Sequence, residues 1–215
     1  GDAIFNGAVD NAAGVAQLLE IARAFSKAKR TQRSLGFLFV GAEEQGLLGS
    51  EYYATHPLYP LEKTVANLNT DSPRPTSPAR DFMTSGDAPL TLMDSLVEEA
   101  GKLKRRHSPD NRPEAGLFFR SDHFSFAKRG VPAISFKSGD DLQEGGVAAG
   151  KAWSEAYNKD RYHQPNDEYD ANSWRSDGIA ADAALLHALG SRLAGSREWP
   201  EWKGGSEFRA IREAS

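Results

Sequence analysis

Residues 35–40, LGFLFV, constrain this chain more than any other stretch. The run is apolar with no alternation. A strand with one face in water alternates apolar and polar residues, whereas a strand without alternation is buried on both faces. The run therefore predicts a central strand of a helix-covered sheet. Strand-like and helix-like segments take turns around it, an order that builds an α/β fold rather than an all-α or all-β one.

Val15, Leu18, Leu19, Ala22 and Phe25 recur at offsets of three and four and predict an amphipathic helix over residues 11–29. Further helices are predicted at 47–54, 90–102, 121–128 and 174–194, and further strands at 64–68 and 131–136. Residues 1–10 read as a loop. So do residues 72–80, which hold three prolines. Residues 138–150, rich in Gly and Asp, are expected to be mobile. The aromatic tail EWPEWKGGSEF is expected to pack back on the body. No repeat or linker divides the chain, so residues 1–215 read as a single domain, long enough to enclose a core.

Composition excludes several functions. The net charge is −4 and no basic stripe is present, which excludes nucleic acid as a partner. Lys102, Lys104, Arg105 and Arg106 read as a solvated face. There is no cysteine, hence no disulfide and no thiolate metal site. No apolar run reaches the roughly 18 residues of a membrane span. The chain begins at Gly1, shows no export signal, and reads as a processed product or a fragment.

Three acidic positions follow predicted strands or precede a helix: Asp10, the pair Glu43–Glu44, and Asp71. In open α/β sheets, ligand sites collect beyond the carboxyl ends of strands. Carboxylates gathered there repel one another, and a divalent cation removes the conflict. Adding His163 gives mixed N/O ligation suited to zinc. Adjacent side chains diverge, so Glu43 and Glu44 divide the labour: one binds metal, the other faces the attacking water as general base. Each residue also has a plainer reading. Asp10 serves as a helix N-cap, the Glu pair as a solvated helix start, and His163 as a surface loop residue.

The stretches NGAVDNAAGVAQLLEIAR, FLFVGAEEQGLLGSEYY, ANLNTD, FFRSDHFSFAKRGVPAI and YHQPNDEYD together resemble the co-catalytic dizinc aminopeptidases. That family includes bacterial leucyl aminopeptidases, glutamate carboxypeptidase II and, with altered chemistry, glutaminyl cyclase. The stretches occur in family order across most of residues 1–170, and the tail is similar to the bacterial branch. The resemblance implies a three-layer αβα fold with a mostly parallel mixed central sheet. It implies that Asp10 bridges two zinc ions, that Glu44 and His163 complete one site, and that Asp71 belongs to the other. Glu43 is similar to the general base. Arg120, Ser121, Asp122 and His123 fall in a segment near the substrate pocket of relatives. The Asp10–Asn11 peptide is implied to be cis, the substrate a peptide, and the location secreted or periplasmic.

The family also carries a His-x-Asp strand about twenty residues before its bridging Asp, and only nine residues precede Asp10 here. The domain therefore reads as incomplete at its N-terminus. By itself it is expected to hold at most one well-ordered zinc, to be impaired as an enzyme, and to need its upstream segment or self-association. Two other functions fit the same residues. One is a glutaminyl-cyclase-like acyltransferase with one zinc on Asp10, Glu44 and His163. The other is a catalytically dead binding domain.

Overall fold

A computed structural model describes residues 4–86, 88–110 and 112–214. The loop expected over residues 1–10 thus lies partly outside the described residues. The sheet has four strands: β1 (Asn67–Thr70), β2 (Asp81–Thr84), β3 (Arg106–His107) and β4 (Ala133–Ser138), in the order β1-β4-β2-β3. The β1–β4 and β2–β3 pairings are parallel and β2–β4 is antiparallel, so the sheet is mixed. The helices are α1 (Gly14–Lys27), α2 (Leu48–Thr55), α3 (Thr91–Lys102), α4 (His123–Ala127), α5 (Gly146–Asp160), α6 (Ser176–Gly195) and α7 (Arg209–Glu213). They flank both faces of the sheet, an α/β architecture.

One face of the sheet meets α3 and α6 through Phe82, Phe136, Leu92, Leu96, Leu185 and Leu189, all nearly excluded from water. Helix α1 lies on α6 through Gly14, Gln17 and Ile21, not through the whole apolar set predicted for it. Val15 and Leu19 stay exposed. Buried Gln17 joins three elements: it donates to the Ile179 carbonyl at 3.0 Å and accepts from the Thr70 hydroxyl beside Asp71.

Three expectations need correcting. Among the described residues nothing pairs with residues 35–40, so the apolar run is no strand. Phe37 packs inward, while Leu35, Leu38 and Phe39 are 37–47% exposed. Apolarity records what a segment is suited to bury, and a ladder also needs a neighbour. Residues 138–150 are not loose. Arg74 donates to the carbonyls of Ser138, Gly139 and Gly150 and to Asp140, and Arg80 to the carbonyls of Leu142 and Gln143. Finally, Arg105 leaves the expected solvated face: it is buried, 2.7 Å from Asp182. The tail does pack back, with Trp202 and Phe208 in the core.

Candidate metal centre

Each candidate donor sits at a break in regular structure. Asp10 lies in an irregular helical turn, Ala8–Ala13, whose Asp10–Asn11 peptide is cis, as the resemblance implies. Gly7 just before it has φ 56°, and a Cβ there would fall 2.4 Å from the Asp10 carbonyl oxygen, so only glycine fits. Glu43 and Glu44 occupy the turn ahead of α2, and Asp71 follows the last residue of β1. Four non-glycine residues here take left-handed backbone: Ala42, Leu47, Ser72 and His163, at φ 50–61°. Each costs about 1–3 kcal/mol, a cost that recurs where function fixes the backbone.

The chain brings Asp10, Glu44 and His163 together. Their donor atoms all lie within 4.8 Å of one another. His163 Nε2 is 2.8 Å from Glu44 Oε1 and 3.3 Å from Asp10 Oδ2. Asp71 lines the same cleft, of about 800 Å³, but stands outside that trio. Its carboxylate accepts from Ser72 Oγ and Ser121 Oγ, both at 3.0 Å, and Ser121 is itself held by Asn69 Nδ2 at 2.9 Å. Asn11 ties the two sides: its Oδ1 accepts from the Ser72 N–H at 3.1 Å.

The cleft is strongly negative. Burial, reinforced by Asp71 and Glu44, pushes Asp10 up to about 6. Burial and the neighbouring Asp71, Glu44, Asp122 and Asp10 push Glu43 up to about 8. Burial and the same field hold the Tyr162 phenol near 12. Acids with raised affinity for protons, around one imidazole, form a site short of positive charge. Two carboxylates and an imidazole within one ion's reach suit zinc, which accepts such mixed donors.

The four residues expected near substrate divide. Arg120 and Ser121 line the cleft, and Ser121 orients Asp71. Asp122 and His123 do not. Asp122 Oδ1 is sealed from solvent, and its charge acts on Glu43 from behind the cleft wall. His123 is fully buried against the edge of Phe118, and burial with nearby Lys137 drives its pKa down to about 3. The short helix α4 turns it inward, so no substrate reaches it.

Sequence reasoning missed Asp167. This carboxylate, 1% exposed, accepts from the Val9 N–H at 3.1 Å, the Asp10 N–H at 3.0 Å and the Tyr157 hydroxyl at 3.2 Å. Its own carbonyl accepts from the Ala8 N–H at 3.0 Å. It thus clamps the turn bearing Asp10 to the loop bearing His163. The signal was an acid four residues after the candidate histidine, inside YHQPNDEYD.

The chain is similar to known proteins in sequence and fold. The description of Peptidase family M28 matches residues 1–188. An aminopeptidase of Pseudomonas aeruginosa is 31% identical over 198 residues, covering 83% of this chain and 36% of the relative. The probable lipoprotein aminopeptidase LpqL of Mycobacterium tuberculosis is 27% identical over 195 residues, covering 84% of this chain and 38% of the relative. The solved aminopeptidase from Aneurinibacillus sp. strain AM-1 superposes with a TM-score of 0.63 at 26% identity, over 90% of this chain and 41% of that one. The chain spans well under half the length of these relatives.

Proposed function

Because this chain belongs to peptidase family M28, we propose that it carries the catalytic machinery of a zinc-dependent exopeptidase that removes residues from peptide amino-termini. The observation that carries the reading is the convergence of Asp10, Glu44 and His163 beside a half-buried Glu43. Asp10, Glu44 and His163 would hold one zinc, and Asp71 with a share of Asp10 a second. When bound, zinc supplies Lewis-acid charge to the scissile carbonyl and to the attacking water.

Glu43 is the general base. Without a cation its carboxyl keeps its proton to about pH 8. A divalent cation in the cleft brings that value down, so that near neutrality Glu43 accepts a proton from water and returns it to the leaving amine. Asp167 fixes Asp10, and Ser72 with Ser121 fixes Asp71, so the carboxylates need little rearrangement. Asp71 has no imidazole partner among the described residues, so the second zinc position is the weaker one. A location outside the cytoplasm, secreted or periplasmic, belongs to the same proposal. It is supported by the lipoprotein designation of one relative. Among the described residues no helix is long and apolar enough to cross a membrane.

The test pairs zinc content by elemental analysis with hydrolysis of an aminoacyl anilide. Bound zinc with release of the terminal residue is expected. A peptide with N-terminal Gln separates the cyclase reading: ring closure without residue release would overturn the peptidase. Zinc-free, inert protein would leave a binding domain.

A further inference from the structure

Lys137 sits on β4, next to Phe136, which pairs in parallel register with Thr70 of β1. Residues in register face the same way, and neighbouring strands run about 4.8 Å apart. Asn69 and Ser135 show the shared face directly, with Asn69 Nδ2 donating to Ser135 Oγ at 3.2 Å. Two residues further, Asp71 and Lys137 emerge on that face, and both line the cleft. Met83, opposite Lys137 across the antiparallel pairing, lines it from the other side. The candidate metal ligand and this lysine are thus about one strand spacing apart.

The Lys137 ammonium is half-buried and forms no ion pair or hydrogen bond with a described residue. The charges facing it are committed elsewhere. Asp110 accepts the Gly86 and Arg112 N–H groups at 3.0 and 2.9 Å, Arg74 is paired with Asp140 at 2.9 Å, and Asp71 is held by its serines. Arg112 adds positive potential, and His123 behind it is neutral. Burial lowers the affinity of Lys137 for its proton, and the charge of Asp71 offsets that only in part.

We propose that Lys137 is a specificity residue, which pairs with a carboxylate of the peptide substrate. The proposal deepens the exopeptidase reading and rests on it for the class of ligand. An ammonium–carboxylate hydrogen bond is among the stronger polar contacts, and a neutral ligand leaves the half-desolvated ammonium unpaired. The discrimination expected is about 10- to 100-fold. Two substrate carboxylates have this chemistry: the side chain of a terminal Asp or Glu, and the C-terminus of a short peptide.

The experiment uses the full-length natural protein loaded with zinc, and Lys137→Met, which keeps the apolar stem and removes the charge. One arm compares kcat/KM for glutamyl and leucyl anilides, the other a leucyl dipeptide and its C-terminal amide. A third readout needs no turnover: thermal stabilisation by L-glutamate against L-glutamine, with and without zinc. A preference for the charged form in one of the first two arms is expected. Lys137→Met should erase it and Lys137→Arg retain it. Hydrolysis with no charge preference, or a preference that Lys137→Met leaves intact, overturns the proposal and leaves the peptidase standing. Absence of hydrolysis, with glutamate favoured only when residue 137 is basic, sinks the peptidase and supports the carboxylate site. Neither hydrolysis nor preference sinks both.

Discussion

Carboxylates crowd two regions of this molecule, and the chain treats them in opposite ways. Beneath the sheet, each acid meets its own donor. Asp182 lies 2.7 Å from Arg105, which also donates to the Asp81 carbonyl, while the Asp81 carboxylate takes Ser108 Oγ at 2.6 Å and the Asp141 N–H at 2.9 Å. In the cleft, Asp10, Glu43, Glu44 and Asp71 share one imidazole and two serine hydroxyls. The first region completes its charge within the chain and serves folding. The second leaves its charge incomplete around Asp10, Glu43 and Glu44, and in the proposed reading a cation from outside completes it. Acid content therefore does not distinguish a site from a scaffold. The placement of counter-charge does.

The comparison breaks first at Glu43. Glu43→Gln should keep zinc and lose about 10²–10⁴-fold in turnover, because the amide accepts no proton. Glu44→Ala should lose zinc instead. Reversed outcomes, read by elemental analysis beside steady-state rates, would exchange the two roles.

Arg105→Met tests the other region. It strands a buried Asp182, 2% exposed, and should cost about 3–5 kcal/mol of stability in urea titration while zinc affinity in the surviving folded protein stays unchanged. A shift in zinc affinity would show that the two regions are coupled.

Asp167→Asn lies between the regions, buried like one and serving the other. Removing its charge should weaken zinc binding by about 10- to 100-fold, measured by competition with a chelating dye. An unchanged affinity would mean that the clamp is scaffold only.

The smallest effect is a pH slope. Asp10 near 6 and Glu43 near 8 stand above their ordinary 3.8 and 4.5. Below about pH 3 both are neutral, folded or unfolded, and carry no penalty. Above that the unfolded chain releases protons that the folded cleft keeps, so in metal-free protein these two acids should cost stability between about pH 4 and 8. His123, driven down to about 3 from its ordinary 6.5, acts in the opposite sense up to about pH 6.5, and Glu51, held near 2 by Arg129 and Lys128, does so only below about pH 4.5. Melting curves in chelator should therefore slope downward most clearly between about pH 6.5 and 8, and zinc should flatten them. A rising slope in chelator would refute the raised values.

The elements legible in the sequence were those with a long apolar stripe or a distinctive motif. Helices α1, α3 and α6 and strand β4 lie within a few residues of expectation. Strands β2 and β3, of four and two residues, are too short to show a period. Helix α5 opens on glycines and buries only Gly150 and Tyr157, so it presents no stripe. Arg105 looked solvated because its partner lies far along the chain, and local patterns do not register distant partners. His163, Asp10 and Glu44 were found through their motifs. Asp167, in the same motif as His163, was passed over because its work is done on backbone N–H groups, which no residue pattern displays.

The Asp167 clamp also sets a schedule. Its bond to the Asp10 N–H closes a span of 157 residues. On the ribosome, at roughly 5–20 residues per second, Asp10 emerges about 8–30 s before its anchor, and His163 arrives barely ahead of that anchor. The trio therefore assembles only after most of the chain has emerged. A nascent chain carries these acids scattered, and brings Asp10, Glu44 and His163 together only after the residues of the sheet and α5 have emerged. The linear order of the chain alone keeps the cleft unassembled until then.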